Sequence, residues 1–197
     1  MKIKNIINSV MAIVALLFSF NLSATEPTAK TEKDMKSTFS SPSEGKAIIV
    51  YFTHSGNTEL AAKKLAEVTG SPIVRILPAE PYTAEDVDWV NEQSRCTQEH
   101  LNQTLRPAIK PLDVDFSQYD TVFIGFPIWW HEEPAVIRTF LDNTDLKGKE
   151  LYPFCTSYES PMSEADATLQ KGYPTLKWHN GLRLPASAGK IKEWIEK

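Results

Sequence analysis

Ala47-Ile48-Ile49-Val50-Tyr51-Phe52-Thr53-His54-Ser55-Gly56-Asn57-Thr58 decides the fold class, because an unbroken apolar run passes there straight into a polar turn containing glycine. Continuous rather than alternating apolarity over residues 47–52 marks a strand buried on both faces, as in a parallel sheet. Beyond the turn, Leu60, Ala61, Leu65, Ala66 and Val68 recur at helical spacing, and Gly70 supplies the expected helix stop. Ile73-Val74-Arg75-Ile76-Leu77 then reads as a second short strand. Strand, turn, helix and strand make a βαβ unit, whose crossover is right-handed by a strong steric rule.

The same alternation continues outward. Thr121-Val122-Phe123-Ile124-Gly125 and Leu151-Tyr152-Pro153-Phe154-Cys155-Thr156 are predicted as buried strands three and four, and Leu176-Lys177-Trp178 begins a short fifth. Helices are expected over 135–141, after Pro134, and over 163–170. A closing helix is capped by Ser187 and shows an apolar face of Ile191, Trp194 and Ile195. Residues 78–118 are broken by Pro78, Pro81, Pro107 and Pro111, with a polar helix expected from about Ala84 to Leu105. Five strands alternating with helices imply an α/β, doubly wound sheet with helices on both faces. Ligands of such sheets sit beyond the C-terminal ends of the strands, at the switch point.

The first 45 residues belong to a different regime. Lys2 and Lys4 precede an apolar stretch, Val10 to Phe18, and Leu22-Ser23-Ala24 offers the small residues a signal peptidase reads. That is the plan of a signal peptide over 1–24, with a retained membrane anchor as the alternative. A bacterial periplasmic location is the expectation, without stable membrane insertion once the signal is removed. No cysteine near the cleavage point marks a lipoprotein, and no arginine pair marks the twin-arginine route. Cleavage would remove two lysines and no acid, taking the net charge from −4 to −6. Residues 25–45 are rich in Ser, Thr, Lys, Glu and Pro and read as a flexible linker. The folded domain is thus placed at 46–197. At 42% hydrophobic and 23% charged residues the chain supports a packed core, and the absence of a long basic run argues against nucleic acid as partner. Cys96 and Cys155 are the two cysteines, and a disulfide or two separate thiols are both open at this level.

Three loops at strand ends carry the candidate chemistry. In the first, Thr53-His54-Ser55-Gly56-Asn57-Thr58, three hydroxyls, an amide and a glycine stand just before a helix. Backbone N–H groups and the positive end of the helix dipole attract an anion there. The spacing matches neither the nucleotide-triphosphate loop nor the dinucleotide fingerprint, and no lysine grips a polyphosphate. A phosphate monoester fits better. The second loop is Pro127-Ile128-Trp129-Trp130-His131, whose adjacent tryptophans are costly to leave in water. The third is Thr156-Ser157-Tyr158-Glu159-Ser160.

Residues 50–58 resemble the phosphate loop of flavodoxins, in which a Ser/Thr-x-Ser/Thr-Gly-x-Thr pattern binds the FMN phosphate. The likeness runs on through Pro78-Ala79-Glu80-Pro81-Tyr82, Gly125-Phe126-Pro127-Ile128-Trp129-Trp130, Pro134, Phe140-Leu141 and Phe154-Cys155-Thr156-Ser157. In order and spacing it covers nearly all of 46–197, and it is strongest for flavodoxin-like proteins with a G-x-P-x-W-W signature. The resemblance implies a five-stranded parallel sheet of order 2-1-3-4-5 and FMN as cofactor. It implies contact of Trp129 or Trp130 with the isoalloxazine, and a cofactor site formed by Thr53 to Thr58, Pro127 to His131 and Thr156 to Tyr158. The third loop departs from relatives, which carry a glycine-rich turn here. Tyr158 could stack on the flavin, and Glu159 would place negative charge near a ring that becomes anionic on reduction, lowering its potential.

Among the histidines, His54 is placed to help hold an anion, and His131 to act near the flavin or a substrate. His100 and His179 are expected to face solvent, and the four show no metal-ligand spacing. The expected function is FMN-binding electron transfer between partner proteins, which the acidic charge suits. An FMN-dependent NAD(P)H:quinone-type oxidoreductase acting on a small-molecule acceptor is the first alternative. A non-redox binding module that has lost FMN is the second.

Overall fold

The computed structural model describes residues 45–197, so the signal peptide and almost all of the linker expected from the sequence lie outside the described residues. Strands β1 (Ala47–Tyr51), β2 (Ile73–Arg75), β3 (Thr121–Pro127), β4 (Glu150–Thr156) and β5 (Lys177–Trp178) form one parallel sheet of order β2-β1-β3-β4-β5. Helices α1 (Asn57–Thr69), α2 (Arg95–Leu101), α3 (Ala135–Asn143), α4 (Met162–Gly172) and α5 (Ala188–Ile195) complete the architecture.

The continuous apolar strands are explained by cover on both faces. On one face Ile49, Tyr51, Phe123, Tyr152 and Phe154 pack against Ala61, Ala62 and Leu65 of α1 and Ile191, Trp194 and Ile195 of α5. On the other, Ile48, Val50, Phe52, Val122, Ile124 and Phe126 meet Val136, Ile137 and Phe140 of α3 and Met162, Ala165 and Leu169 of α4. Period-two alternation therefore sorts apolar residues between two cores rather than between core and water.

Several expectations are corrected. The helix expected over 84–105 exists only as a 3-10 turn at Glu85–Val87 and as α2. Ser94 caps α2 by accepting from the Thr97 amide, a start signal inside a window too polar to carry one long amphipathic helix. The second strand ends at Arg75, two residues early, while the third runs on to Pro127. The fifth strand position is split. β5 pairs with Glu150 and Leu151, and a further strand, β6 (Leu182–Arg183), pairs with Phe154 and Cys155. At the break the Gly181 amide donates to both carboxylate oxygens of Asp166 (3.1 and 2.9 Å), which ties the segment between β5 and β6 to α4. Cys96 and Cys155 are two buried free thiols, so the disulfide alternative falls.

Candidate functional site

Strand order reverses between β2-β1 and β3-β4-β5, and the loops after β1, β3 and β4 gather above that point. The loop after β1 is shaped from within. The Gly56 amide donates to Thr53 Oγ1 (3.0 Å), Arg75 Nη2 donates to the Thr53 carbonyl (3.2 Å), and Gly56 takes a left-handed φ of 92° that a side chain would oppose. Thr58 is fully buried and its hydroxyl shares a 2.8 Å hydrogen bond with that of Thr156, tying the first loop to the third. Of the three hydroxyls read from the sequence, two are committed to the scaffold and Ser55 alone stays exposed. His54 and Asn57 are exposed beside it. Helix α1 has no side-chain cap, so its first N–H groups remain open to an anion.

Ser55, Asn57, Pro127, Ile128, Thr156, Ser157 and Tyr158, all read as site residues, line one cleft of about 560 Å³. Its remaining wall is Leu60, Ala61, Lys64, Leu184 and Pro185, which sequence reasoning missed. For Leu60 the sequence offered no signal. Leu60 belongs to the apolar spacing of α1 yet is 66% exposed, turned into the cleft instead of the core. Tyr158 is 95% exposed at the rim. Arg183 Nη1 donates to the Glu159 carbonyl (3.1 Å), so a guanidinium stands beside the loop that carries the exposed Glu159.

Trp129, Trp130 and His54 lie elsewhere, around a neighbouring hollow of about 300 Å³ completed by Val87, Trp89 and Cys96 and sharing Ser55, Pro127 and Ile128 with the cleft. Trp129 packs edge-on against Phe52 and Tyr82 at centroid distances of 5.5 and 5.2 Å. Trp130 and His131 form the tip of a two-residue turn closed by reciprocal Trp129–Glu132 backbone hydrogen bonds of 3.1 and 3.0 Å. Both have positive φ, 52° and 66°, in a turn type that favours Asn-Gly. Such placements cost about 1–3 kcal/mol each and persist where surrounding contacts impose them.

His100 and His179, expected to face solvent, are half-buried and engaged by partners. His100 stacks on Trp130 (4.9 Å, 8° between planes) with Nδ1 2.9 Å from Glu132 Oε1. His179 stacks on Tyr152 (3.9 Å), and its Nε2 lies 2.8 Å from Glu150 Oε2. His131 reaches away from the hollow, with Nδ1 2.6 Å from Glu164 Oε2. Beneath the turn, Glu99, Glu132, Glu133 and Arg138 are nearly buried. Burial holds the Glu133 carboxyl above the usual range despite the Thr168 hydroxyl donating to it. Trp130 Nε1 and Arg138 Nε lack a partner there. Burial pushes the Cys155 thiol up to about 12, against the pull of Arg183, which leaves no thiolate for nucleophilic chemistry. Among the described residues no cluster of His, Cys, Asp and Glu could hold a metal ion.

Open helical N–H groups, one free hydroxyl and a left-handed glycine at one end, and an apolar wall at the other, suit an amphiphile with an anionic head and a flat body. The cleft is in the size range of small-ligand sites, about 300–1,000 Å³. A parallel sheet of order 2-1-3-4-5 with such a cleft above its switch point defines a flavodoxin-like protein. The chain belongs to the flavodoxin family, whose model, described as Flavodoxin, matches residues 46–197. Crystal structures of proteins provisionally assigned as flavoproteins, from Bacteroides eggerthii and Bacteroides uniformis, are 40% and 41% identical, with TM-scores of 0.75 and 0.73. They match over 77% and 78% of this chain and 96% and 99% of their own. A flavoprotein of Lactobacillus acidophilus solved in complex with FMN shares the fold at 22% identity and a TM-score of 0.63, over 76% of this chain and 98% of its own. A comparison with curated proteins finds no match.

Proposed function

We propose that this protein binds FMN in the strand-end cleft and transfers electrons to and from partner proteins. The observation that carries this reading is the convergence of three loops on one cleft whose polar corner is the uncapped start of α1. A same-fold relative solved with FMN supports the choice of cofactor.

In this reading Ser55, Asn57 and the first amides of α1 hold the phosphate, and Gly56 lets it approach the backbone. Leu60, Ile128, Leu184 and Tyr158 enclose the body of the cofactor and keep water from it. Bound FMN supplies the redox chemistry, while the protein sets potential and access. The acidic net charge, −6 once residues 1–24 are removed, suits docking on a basic partner, and export by residues 1–24 would put the exchange in the periplasm. A second reading, a small aromatic acceptor as substrate, is favoured by the hollow between Trp89, Trp129 and Trp130.

The test is a flavin titration of the purified protein followed by fluorescence. Wild type should bind FMN, and Ser55→Ala should bind about tenfold or more weakly, the value of one hydrogen bond to a charged group. A protein that ignores FMN would leave the non-redox binding module. Reduction of a quinone by NAD(P)H without a second protein would select the second reading.

A further inference from the structure

We propose that His100 is the positioning residue of the Trp129–Glu132 turn, and that its charge state sets how firmly Trp130 is held in the hollow beside the cleft. The consequence for cofactor affinity rests on the FMN reading above; the side-chain pairing does not.

Trp130 and His131 sit in a conformation that neither would choose alone, so something outside the turn must impose it. Helix α2 does so from one side. The imidazole of His100 lies flat on the Trp130 indole at 4.9 Å, and its Nδ1 is 2.9 Å from Glu132 Oε1. Gln103 Nε2 donates to that same oxygen (2.7 Å). The tip of the turn and its last residue are thus both gripped by the segment 100–103. On the other side His131 is tied to Glu164 of α4 at 2.6 Å.

Charges packed around His100 are unbalanced. Glu132 and Glu133 come from the turn and its exit, and Glu99 from α2 itself. Against them stand Arg138 of α3, with Nη1 3.6 Å from Glu132 and 3.5 Å from Glu133, and Arg95, whose Nε donates to Glu99 at 2.8 Å. Tyr82 also donates to Glu99, at 2.7 Å. Three carboxyl groups, of which burial disfavours the charged form of Glu133, face two guanidiniums, and an imidazolium at His100 is the third positive charge. In that form His100 makes a charge-assisted hydrogen bond to Glu132 and a cation–π contact with the indole. As a neutral ring with its proton on Nδ1 it keeps the stack and the hydrogen bond to the Glu132 carboxylate, and loses the ion pair and the cation–π contact. The turn is therefore held more firmly with a charged His100 than with a neutral one.

The experiment follows tryptophan fluorescence of the flavin-free protein between about pH 5 and 8, where imidazole titrates, with FMN titrations at the two ends. Wild type should show a fluorescence transition that disappears in Trp130→Phe and in His100→Gln and persists in His131→Gln. Going from the basic to the acid end, the affinity of wild type for FMN should change about threefold to fivefold in favour of binding relative to His100→Gln, the scale of a cation–π contact. The comparison with His100→Gln removes the protonation of the FMN phosphate itself, which falls in the same pH window. A wild-type protein without a Trp130-dependent transition, or a His100→Gln protein that keeps the wild-type profile, overturns the proposal. Should His100→Gln fail to fold, Trp130→Phe tests the contact from the other side. A protein that shows the transition but never binds FMN would sink the cofactor reading and leave the pairing standing.

Discussion

Ser55 lines the cleft, and Glu159 follows Tyr158 in the loop that forms part of its wall. Glu159 is exposed, and the Arg183 guanidinium engages its backbone carbonyl. Exposed charges at such range are worth on the order of 1 kcal/mol or less. Glu159→Gln should therefore raise the reduction potential of the flavin-loaded protein by roughly tens of millivolts, read by potentiometric titration. An unchanged or lower potential would show that Arg183 already cancels the carboxylate. The three hydroxyls of the first loop teach a related lesson. All three are visible in the sequence, but burial decides that Thr53 and Thr58 build the loop while Ser55 serves the ligand.

At the scale of elements, β3 and β4 are joined by a contact that the Trp-loop motif conceals. Gly125 is paired with Phe154, and a Cβ at Gly125 would stand inside the Phe154 ring. The glycine is required by the packing of one strand against its neighbour. Gly125→Ala should destabilise the protein by about 1–3 kcal/mol, the usual cost of overfilling a core. Urea denaturation would measure it, and Gly125→Ala combined with Phe154→Leu should recover part of the loss. No recovery in the double variant would mean that the backbone of β3, not the ring, resists the change. The region between β2 and β3 shows the opposite limit. Its prolines and polar residues are obvious in the sequence, yet the position of the short helix α2 follows from Tyr82–Glu99 and Arg138–Glu99 contacts across 17 and 39 residues.

Across the whole molecule, acid stability rests on carboxylates that join distant segments. Burial works against the ionised form of Asp142, but hydrogen bonds from Arg106 and Tyr173 overcome it and hold its pKa below the ordinary range. The His179 hydrogen bond, reinforced by Lys177, lowers Glu150 in the same way. A depressed carboxyl stabilises the fold above its unfolded value, near 4, and loses that contribution as pH falls through the folded value. Glu133 and Asp166, raised chiefly by burial, act in reverse. Their contribution is full below the unfolded value and is given up as pH rises toward the folded one. Asp142→Asn should therefore flatten the fall in melting temperature between about pH 5 and pH 3, and a fall as steep as in wild type would remove Asp142 from the account.

By itself the sequence determined the sheet, the alternation with helices and the three loops of the site. Unbroken apolar strands, glycine stops and strand-to-helix turns are local signals, read within a few residues of one another. The order of the strands came with the family resemblance and stands in the structure. Only the tertiary structure decided that the fifth strand is split, that the two thiols stand apart, and that Leu60 faces the cleft. It also decided that His100 and His179 are half-buried, each held by a stacked ring and a carboxylate. Each of these depends on what a side chain meets from tens of residues away, and burial and charge balance among such partners leave no pattern along the chain.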